Sequence, residues 1–588
     1  MKIAIVTSEF EGLTRNAGIG TAYRNLGELL LARGHEVTVV FMPIGLRAGE
    51  TPKNFRRLLM RWKARRARMT ALGFSVVIPA PDSVLGYLGP VGYLLGRSHL
   101  AYEYLRSRRF DRVHAPDNGG LLFMCLQARK LGAEFQDTRF VIGAHGPRVW
   151  VDELNGCASE ASVLASHFDR CSIEMADQLV SPSRYMLEHL RSRGWALPSD
   201  SRVIPNANRL GSRLPPSPHR TLKAPTIVFF GRLETRKGVD LFAEATLRLL
   251  RRRPELGARA PVRLVFLGKD PDPARPATPR LREHFAPFGE RVELRFHGGL
   301  SSEKSLALLR SFPGAVVCMP SLCDNSPYVL VEAIEAGLNV VATRSGGQAE
   351  LVHPADRAKA LCDPEAASLS VMIERRLSSP SFRVRPSSLA LQANRKWLEL
   401  HRARGPRSRR SHPVSSMPTV SIVLQSRSGR WLSSLVSALS QDYRNLEICV
   451  PKSDRLLLPE KTSSIRFREY DPRRRSTPWH SAVSAAQGKY VVFLQTSFAR
   501  RNSVSEWVRS AETFAHGDPA HVVTCGVQNR RGLAVDPFAL WDRRWLLKTC
   551  LRPAGVSFAN ERAIMRLYSA LLLQGKKIGV FPEVVLRG

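Results

Sequence analysis

The sequence predicts an α/β protein built from parallel β-sheets, and three observations support that prediction. Apolar runs of strand type alternate with segments of helical periodicity over the first 400 residues. Two basic segments, the proline-rich 210–225 and the Arg/Ser/Pro-rich 401–418, interrupt this alternation. A strand-and-helix pattern then resumes. We therefore expect domains at 1–210, 225–400 and 419–588, with 401–418 as a flexible basic linker.

The composition suits a large globular protein with an unusual charge. The chain has 588 residues, of which 44% are hydrophobic, and a net charge of +37 at pH 7. Such a charge raises the affinity for phosphate-bearing partners, so an anionic membrane surface and nucleic acid both qualify. The nine cysteines form no C-x-x-C pair, which predicts reduced thiols and neither a zinc site nor a disulfide framework.

Neither a secretory signal pattern at the N-terminus nor an apolar span of 18 residues occurs in the sequence. We therefore expect a soluble or peripheral protein in the cytoplasm, with attachment to the inner face of the plasma membrane left open.

The first residues are typical of a parallel β-α-β unit with a glycine turn before its helix. Strands are predicted at Lys2–Thr7 and Val37–Phe41, and a helix at Tyr23–Ala32. The glycines Gly18 and Gly20 open that helix, where unpaired amides could admit a phosphate. Glycines at this spacing are equally common at tight packing turns, so both interpretations stay open.

Residues 54–69 have the pattern of a basic amphipathic helix. Apolar residues, among them Trp62 and Met69, recur at helical spacing, and seven Arg or Lys side chains surround them. The helix could lie on an anionic membrane, where each cation contributes on the order of 1 kcal/mol. Alternatively it packs its apolar stripe on the domain and leaves its arginines in water.

Polar residues follow two predicted strands of the first domain. Asp117 comes after the strand that begins at Arg112, and His145 comes after the strand that begins at Phe140. Ligands of open parallel sheets bind at the carboxyl ends of the strands. A lone histidine is more often structural, but the position of His145 at the predicted cleft favours a functional role.

The second domain repeats the alternation with five predicted strands. These strands are Thr226–Phe230, Val262–Leu267, Val292–Phe296, Ala315–Met319 and Val340–Thr343. The turn Gly231–Gly238 after the first of them carries Arg232 and Lys237. Because glycine lets the backbone approach a ligand and two cations can neutralise a diphosphate, this turn predicts a polyanion site.

The segment 324–332 is the second piece of that site. A helix is predicted to begin after Pro327, so its first amides are unpaired and available to a ligand. Asp324 and Glu332 are eight residues apart and can reach different parts of one ligand. An ordinary strand-turn-helix with surface charges is the alternative.

These two pieces resemble the donor site of family 4 glycosyltransferases, the glycogen-synthase-like retaining enzymes of the GT-B fold with two Rossmann-like domains. In that family a G-x-L…K-G turn holds the nucleotide diphosphate, and an E-x7-E motif binds sugar and ribose. Here Asp324 replaces the first Glu, which shortens its reach by one methylene. The resemblance covers about the first 400 residues.

The resemblance implies a role for individual residues. It implies four catalytic residues, namely His145, Arg232, Lys237 and Asp324. It implies eight donor-binding residues, namely Gly18, Gly20, Arg232, Lys237, Asn325, Ser326, Tyr328 and Glu332. It further implies that the turn Gly346-Gly347 supports the donor loop and that the helix Ala390–Arg402 crosses back to the first domain. Neither a metal nor another cofactor is expected at this site.

Residues 419–588 resemble, in the order and spacing of their segments, the GT-A fold of family 2 glycosyltransferases. Where that family has the metal-binding D-x-D, this chain has Gln495-Thr496-Ser497, and amides and hydroxyls are poor ligands for Mg²⁺ or Mn²⁺. Glu561 is a candidate remnant of the catalytic acid. We therefore predict a degenerate domain that binds or scaffolds, and a chain that lacks a further C-terminal segment.

Together these expectations describe a retaining hexosyltransferase. It would move a hexose from a nucleotide diphosphate sugar to a hydroxyl of a glycan or glycolipid, in polysaccharide or glycolipid synthesis. Two alternatives are a catalytically inactive scaffold derived from transferases and a nucleic-acid-binding basic protein. The lack of an aromatic-interleaved RNA motif argues against nucleic acid.

Overall fold

Continuous apolar runs form the strands of two parallel sheets, because both faces of these sheets are covered by helices. The structure is a computed structural model, which describes residues 1–14, 18–43, 52–79, 89–130, 134–209, 224–270, 276–402 and 418–424, and shorter stretches between residues 435 and 587.

The first sheet has seven parallel strands in the order β3-β2-β1-β4-β5-β6-β7. The strands are β1 Lys2–Thr7, β2 Glu36–Phe41, β3 Ser75–Val77, β4 Arg112–Pro116, β5 Arg139–Gly143, β6 Gln178–Ser181 and β7 Ser201–Val203. The helices are α1 Gly18–Leu31, α2 Pro52–Ala71, α3 Gly89–Arg106, α4 Phe123–Lys130, α5 Arg148–Leu154, α6 Glu160–Met175 and α7 Arg184–Ser192. This sheet and its helices are called the first domain below.

The second sheet has six parallel strands in the order β10-β9-β8-β11-β12-β13 and belongs to the second domain. The strands are β8 Thr226–Phe230, β9 Val262–Leu267, β10 Val292–His297, β11 Val316–Met319, β12 Asn339–Thr343 and β13 Leu361–Cys362. The prediction of five strands was one short. β13 has only two residues, which is too few to produce a periodic signal.

Helices cover both faces of the second sheet. They are α8 Val239–Arg252, α9 Ala277–Phe285, α10 Ser302–Arg310, α11 Tyr328–Glu335, α12 Gln348–Leu351, α13 Arg357–Ala360, α14 Ala366–Leu377, α15 Ser388–Leu391 and α16 Ala393–Arg402. Short 3-10 helices lie at Thr235–Lys237, Ala286–Arg291 and Pro354–Asp356. In each domain the strand order reverses beside one central strand, β1 in the first and β8 in the second, and ligand crevices form at such points.

The C-terminal helix of the second domain packs on the first domain, as predicted. The indole N–H of Trp397 donates to the carbonyl of Pro205 over 2.9 Å, and Asn394 exchanges hydrogen bonds with the backbone of Asn208. His401 stacks on His114 with ring centroids 5.1 Å apart. The single predicted helix 390–402 is two helices, α15 and α16, which meet at Gln392.

The basic helix α2 packs its apolar stripe on the first domain. Met69 is 1% exposed, and Trp62 lies edge-on to Phe41 with ring centroids 5.0 Å apart. Arg65 and Arg66 donate to backbone carbonyls of the same domain. The packing interpretation of this helix is therefore confirmed, while membrane binding by its outer face stays a prediction. None of the helices that the structure describes is long and apolar enough to cross a bilayer.

A third sheet follows residue 418. Its strands are β14 Val420–Leu424, β15 Leu446–Pro451, β16 Arg466–Tyr470, β17 Tyr490–Leu494, β18 Ser497–Phe498, β19 Val522–Asn529, β20 Gly532–Val535, β21 Leu540–Asp542 and β22 Ile578–Arg587. The first four are parallel in the order β16-β15-β14-β17. Gln495, Thr496 and Glu561 lie outside the described residues, as does 210–223 of the predicted hinge. The GT-A-like interpretation stays a prediction.

The turn after β12 depends on a glycine in the left-handed region. Gly346 has φ +67°, and a Cβ there would lie 2.2 Å from the carbonyl oxygen of Asp324. Alanine at this position combines backbone strain with a clash against backbone, so we expect Gly346→Ala to lower the free energy of unfolding by more than about 2 kcal/mol.

The matched control is Gly34→Ala. Gly34 has φ +74°, and its Cβ would meet nothing within 4 Å, so this variant adds only the backbone strain. Chemical denaturation of both variants measures the difference. Equal destabilisation would contradict the packing of Gly346 under Asp324.

Candidate functional site

The site lies where the carboxyl ends of β8 and β11 in the second domain face those of β1, β4 and β5 in the first. Side chains and backbone groups from both domains meet across this cleft. The sequence-predicted residues found here are His145 from the first domain and Arg232, Lys237, Asp324, Asn325, Ser326, Tyr328 and Glu332 from the second.

The turn after β8, which carries the cations, begins at Gly231 and ends at Gly238. Gly238 has φ +76°, and a Cβ there would lie 1.9 Å from the carbonyl oxygen of Pro320, so only glycine fits. A Cβ on Gly231 would meet its nearest atoms at 3.7 Å, an ordinary contact distance. Packing therefore requires Gly238, whereas Gly231 leaves room above the strand end.

Lys237 and Asp324 form a largely buried ion pair across the strand-order reversal. The ammonium group of Lys237 donates to the Asp324 carboxylate, and the backbone N–H of Asn325 donates to the other oxygen over 2.9 Å. Burial acts to raise the pKa of Asp324, but Lys237 and Arg236 outweigh it and hold that pKa below its usual value. The Asp324 carboxyl group is therefore ionised at neutral pH. Burial lowers the pKa of Lys237, and the negative charge of Asp324 opposes that shift.

Arg236 is a third cation of this turn, which sequence reasoning missed. Its side chain is only 6% exposed and lies 3.1 Å from Glu234 and 3.5 Å from the Asp324 carboxylate. The predicted cation Arg232 is 48% exposed and also pairs with Glu234, at 3.0 Å. The only signal in the sequence is that Arg236 precedes Lys237 directly, and nothing local distinguishes a buried from an exposed arginine.

The segment 323–328 is attached to the first domain. The side-chain amide of Asn325 donates to the carbonyl of Ala144 over 2.8 Å and accepts from the hydroxyl of Ser183. The hydroxyl of Tyr328 donates to the carbonyl of Ala207 over 3.0 Å. These side chains hold the two domains together. The backbone N–H of Asn325 is paired with Asp324, whereas the first amides of α11, beginning at Tyr328, have no partner within the helix.

Glu332 lies farther along α11, and the pKa of its carboxyl group is raised. The hydroxyl of Ser302 donates to its carboxylate over 2.6 Å. Burial raises the pKa of Glu332 to about 7, and the negative charges of Glu11 and Glu335 add to that shift. Near neutral pH the carboxyl group is therefore divided between its ionised and protonated forms.

His145 lies in the first domain directly after Ala144, whose carbonyl accepts from Asn325 of the second domain. The carboxylate of the buried Asp117 accepts from the backbone N–H groups of His145 and Gly146, at 3.1 and 3.0 Å. Tyr23 lies edge-on to the imidazole, with ring centroids 5.5 Å apart. Burial lowers the pKa of His145 to about 4, so the ring is neutral at physiological pH and can both donate and accept a hydrogen bond.

The two predicted phosphate-turn glycines lie inside the first turn of α1, which begins at Gly18 rather than at the predicted Tyr23. A Cβ on Gly20 would lie 3.1 Å from the backbone nitrogen of Phe10, which is a packing reason for this glycine. A Cβ on Gly18 would meet nothing within 4 Å. Among the residues that the structure describes, no group of three His, Cys, Asp or Glu side chains could hold a metal ion.

Comparison with known families agrees with this geometry. Residues 17–207 match the family model of the glycosyl transferase 4-like domain, and residues 214–392 match that of glycosyl transferases group 1. Residues 17–392 thus carry the two domains of a GT-B glycosyltransferase of these families. The predicted resemblance of the first 400 residues is confirmed at this level.

Two curated relatives are phosphatidylinositol N-acetylglucosaminyltransferase subunits A. The human protein is 29% identical over 222 residues, which are 38% of this chain and 43% of the relative. The Arabidopsis thaliana protein is 28% identical over 354 residues, which are 60% and 69%. An MMP alpha-(1->4)-mannosyltransferase of Mycolicibacterium hassiacum is 37% identical over 83 residues, 14% of this chain and 20% of the relative. This chain spans less than half the length of the human relative.

Two of the solved structures similar to this chain are the following. Sucrose-phosphate synthase from Thermosynechococcus elongatus is 17% identical, with a TM-score of 0.48 and coverage of 68% of this chain and 94% of that one. Anabaena Alr3699/HepE in complex with UDP-glucose is 16% identical, with a TM-score of 0.44 and coverage of 68% and 99%.

The coupling between Lys237 and Asp324 can be measured with a double-mutant cycle. Because removing one partner leaves a buried charge, we expect Lys237→Met, Asp324→Asn and the double variant to give a coupling energy of about 1–3 kcal/mol. The exposed pair Arg248–Glu244 is the control, since its members are 52% and 48% exposed. That pair should give at most about 0.5 kcal/mol. Equal coupling energies would contradict the buried pair.

The raised pKa of Glu332 predicts a pH dependence of stability. The folded state binds this proton more tightly than the unfolded state, so its contribution is fully present below the usual pKa of Glu and is lost as the pH rises through about 7. The free energy of unfolding of Glu332→Gln, relative to wild type, should therefore rise between pH 5 and 8. Denaturation at several pH values checks this, with Glu399→Gln as an exposed control. A constant difference would refute the raised pKa.

Proposed function

We propose that the chain is a retaining hexosyltransferase that transfers a hexose from a nucleotide diphosphate sugar to a hydroxyl of a glycan or glycolipid. The observation that carries the proposal is the pairing of Arg236 and Lys237 with Asp324, in the segment that leads into α11, with Arg232 on the same turn as the two cations. Cations and a helix N-terminus together stabilise the charge that develops on a leaving diphosphate. The two glycosyltransferase family matches support the same conclusion.

In this proposal Lys237 exchanges partners during the reaction. In the structure it is paired with Asp324. A bound diphosphate offers Lys237 and the exposed Arg232 a second anion, and Asp324 then becomes available to the hydroxyls of the sugar. The neutral imidazole of His145 would contact the sugar from the first domain, and the ionised form of Glu332 would accept from the ribose. No step requires a metal.

Closure of the cleft has a chemical purpose. A water molecule that reached the sugar would hydrolyse the donor, so water must be excluded while the acceptor hydroxyl is admitted. The direct contacts of Asn325 and Tyr328 with the first domain are suited to hold such a closed form.

The acceptor and the location of the protein are further parts of the proposal. The human and Arabidopsis relatives are named for transfer to phosphatidylinositol, which favours a lipid-linked acceptor. The outer face of α2 has exposed cations, among them Arg56, Arg57 and Lys63. We place the protein in the cytoplasm with this face toward an anionic membrane. Residues 419–588 would then bind or scaffold without catalysis.

Release of nucleoside diphosphate from UDP-, GDP- and ADP-sugars tests the proposal. Each donor is offered together with glycan and glycolipid acceptors. The wild type should turn over one donor class, and Lys237→Ala should lower the rate of release about 10²- to 10³-fold. Gln495→Ala and the exposed control Arg375→Ala should match the wild type. The anomeric configuration of the product, read by NMR, decides retention.

Two results would contradict the proposal. Loss of release in Gln495→Ala alone would place catalysis in residues 419–588. The lack of release from every donor and acceptor pair would favour the scaffold.

A further inference from the structure

A carboxylate of the second domain covers the start of a helix in the first domain. Glu350, on α12, accepts hydrogen bonds from the backbone N–H groups of Arg184 and Tyr185, over 2.8 and 2.9 Å. These are the first two residues of α7. The two partners are 166 residues apart in sequence, so the contact exists only when the domains are together.

The contact completes the capping of α7. Ser183 precedes the helix and its hydroxyl accepts from the N–H of Met186 over 3.2 Å, which satisfies the third amide. Glu350 takes the first two. A negative charge at a helix N-terminus is favourable because of the unpaired amides and the helix dipole. Separation of the domains would return these two amides and the carboxylate to water.

Glu350 is also close to Asp324 and Asn325, because the turn before α12 packs directly against them. α12 begins directly after Gly346 and Gly347. The N–H of Gly347 donates to the carbonyl of Asp324 over 2.8 Å, and a Cβ on Gly347 would lie 2.0 Å from the carbonyl of Asn325 and 2.5 Å from the Cβ of Ser183. The turn Gly346-Gly347 packs against Asp324 and Asn325. Glu350 therefore links this turn to the first domain.

We propose that Glu350 is a positioning residue that couples domain closure to the placement of Asp324 for transfer. It touches neither donor nor acceptor and acts through the amides of α7. Because the nucleotide contacts lie in the second domain, weakening this contact lowers the fraction of closed complexes and leaves donor binding nearly intact. The kinetic part of this inference rests on the proposed transferase function.

Hydrogen exchange of the backbone amides tests the contact without any substrate. The amides of Arg184 and Tyr185 are expected to exchange at least about ten-fold faster in Glu350→Ala than in the wild type. The amides of Leu187 to Leu190 should keep their protection, which separates loss of the contact from unfolding of α7. The exposed control Glu283→Gln should match the wild type throughout.

The helix also offers a variant that removes one bond and leaves Glu350 in place. Proline is well tolerated at the first position of a helix and lacks the N–H, and the preceding Ser183 has the extended backbone that a following proline requires, with φ −140° and ψ 154°. Arg184→Pro thus removes the hydrogen bond from the backbone of residue 184 to Glu350 and keeps the one from Tyr185. Arg184→Ala is its matched control, because it loses the exposed side chain and keeps the N–H.

We expect kcat to fall about ten-fold in Glu350→Gln and in Arg184→Pro, with less than about two-fold change in donor Kd. Arg184→Ala should match the wild type. Equal kcat in Arg184→Pro and Arg184→Ala, or unchanged exchange of the two amides in Glu350→Ala, would overturn the inference. A wild type that turns over no donor would refute the proposed function instead, and the exchange experiment would still decide whether the contact exists.

Discussion

The ion pair of Lys237 with Asp324 is the interaction on which the rest of the site depends. Asp324 is 8% exposed, and a carboxylate so far from water is tolerated only when cations and N–H donors surround it. Lys237, Arg236 and the amide of Asn325 supply them. The pair also ties the turn after β8 to the segment after β11. The pair therefore fixes the position of the cations to which the proposed function assigns the diphosphate.

The position of that segment is a property of both domains together. Asn325 is held by Ala144 and Ser183 of the first domain, and Tyr328 is held at Ala207 between the domains. The side chains of Asn325 and Tyr328 thus serve the contact between the domains, whatever their backbone amides bind. A ligand that binds between the domains thus meets a surface whose shape depends on closure.

The parts of this structure that follow from local sequence were predictable. Buried parallel strands such as Thr226–Phe230 are continuous apolar runs, and the turns that follow them carry the motifs. The start of α11 after Pro327 was predictable for the same local reason. By contrast, the burial of Arg236 depends on Cys323, which is 87 residues away in the sequence, and on the adjacent Asp324. Nothing in a single sequence reveals such a pairing.

The same distinction explains the remaining differences. α1 includes Gly18 and Gly20, which the predicted helix did not, and the backbone of residues 9–11 packs against Gly20, a contact that periodicity does not encode. The bond of Glu350 to α7 spans both domains and has no local signature. Asn325 and Tyr328 were identified by motif, but their bonds to the first domain emerge only from the fold. The sequence predicted which segments form the candidate site, and the contacts between domains define the geometry of those segments.

A crystal structure of the wild-type chain with bound nucleoside diphosphate tests the central claim most directly. The account predicts the diphosphate within hydrogen-bond distance of the Lys237 ammonium group, beside Arg232 and the first amides of α11. A diphosphate bound among residues 419–588, with Lys237 paired to Asp324 alone, would contradict it.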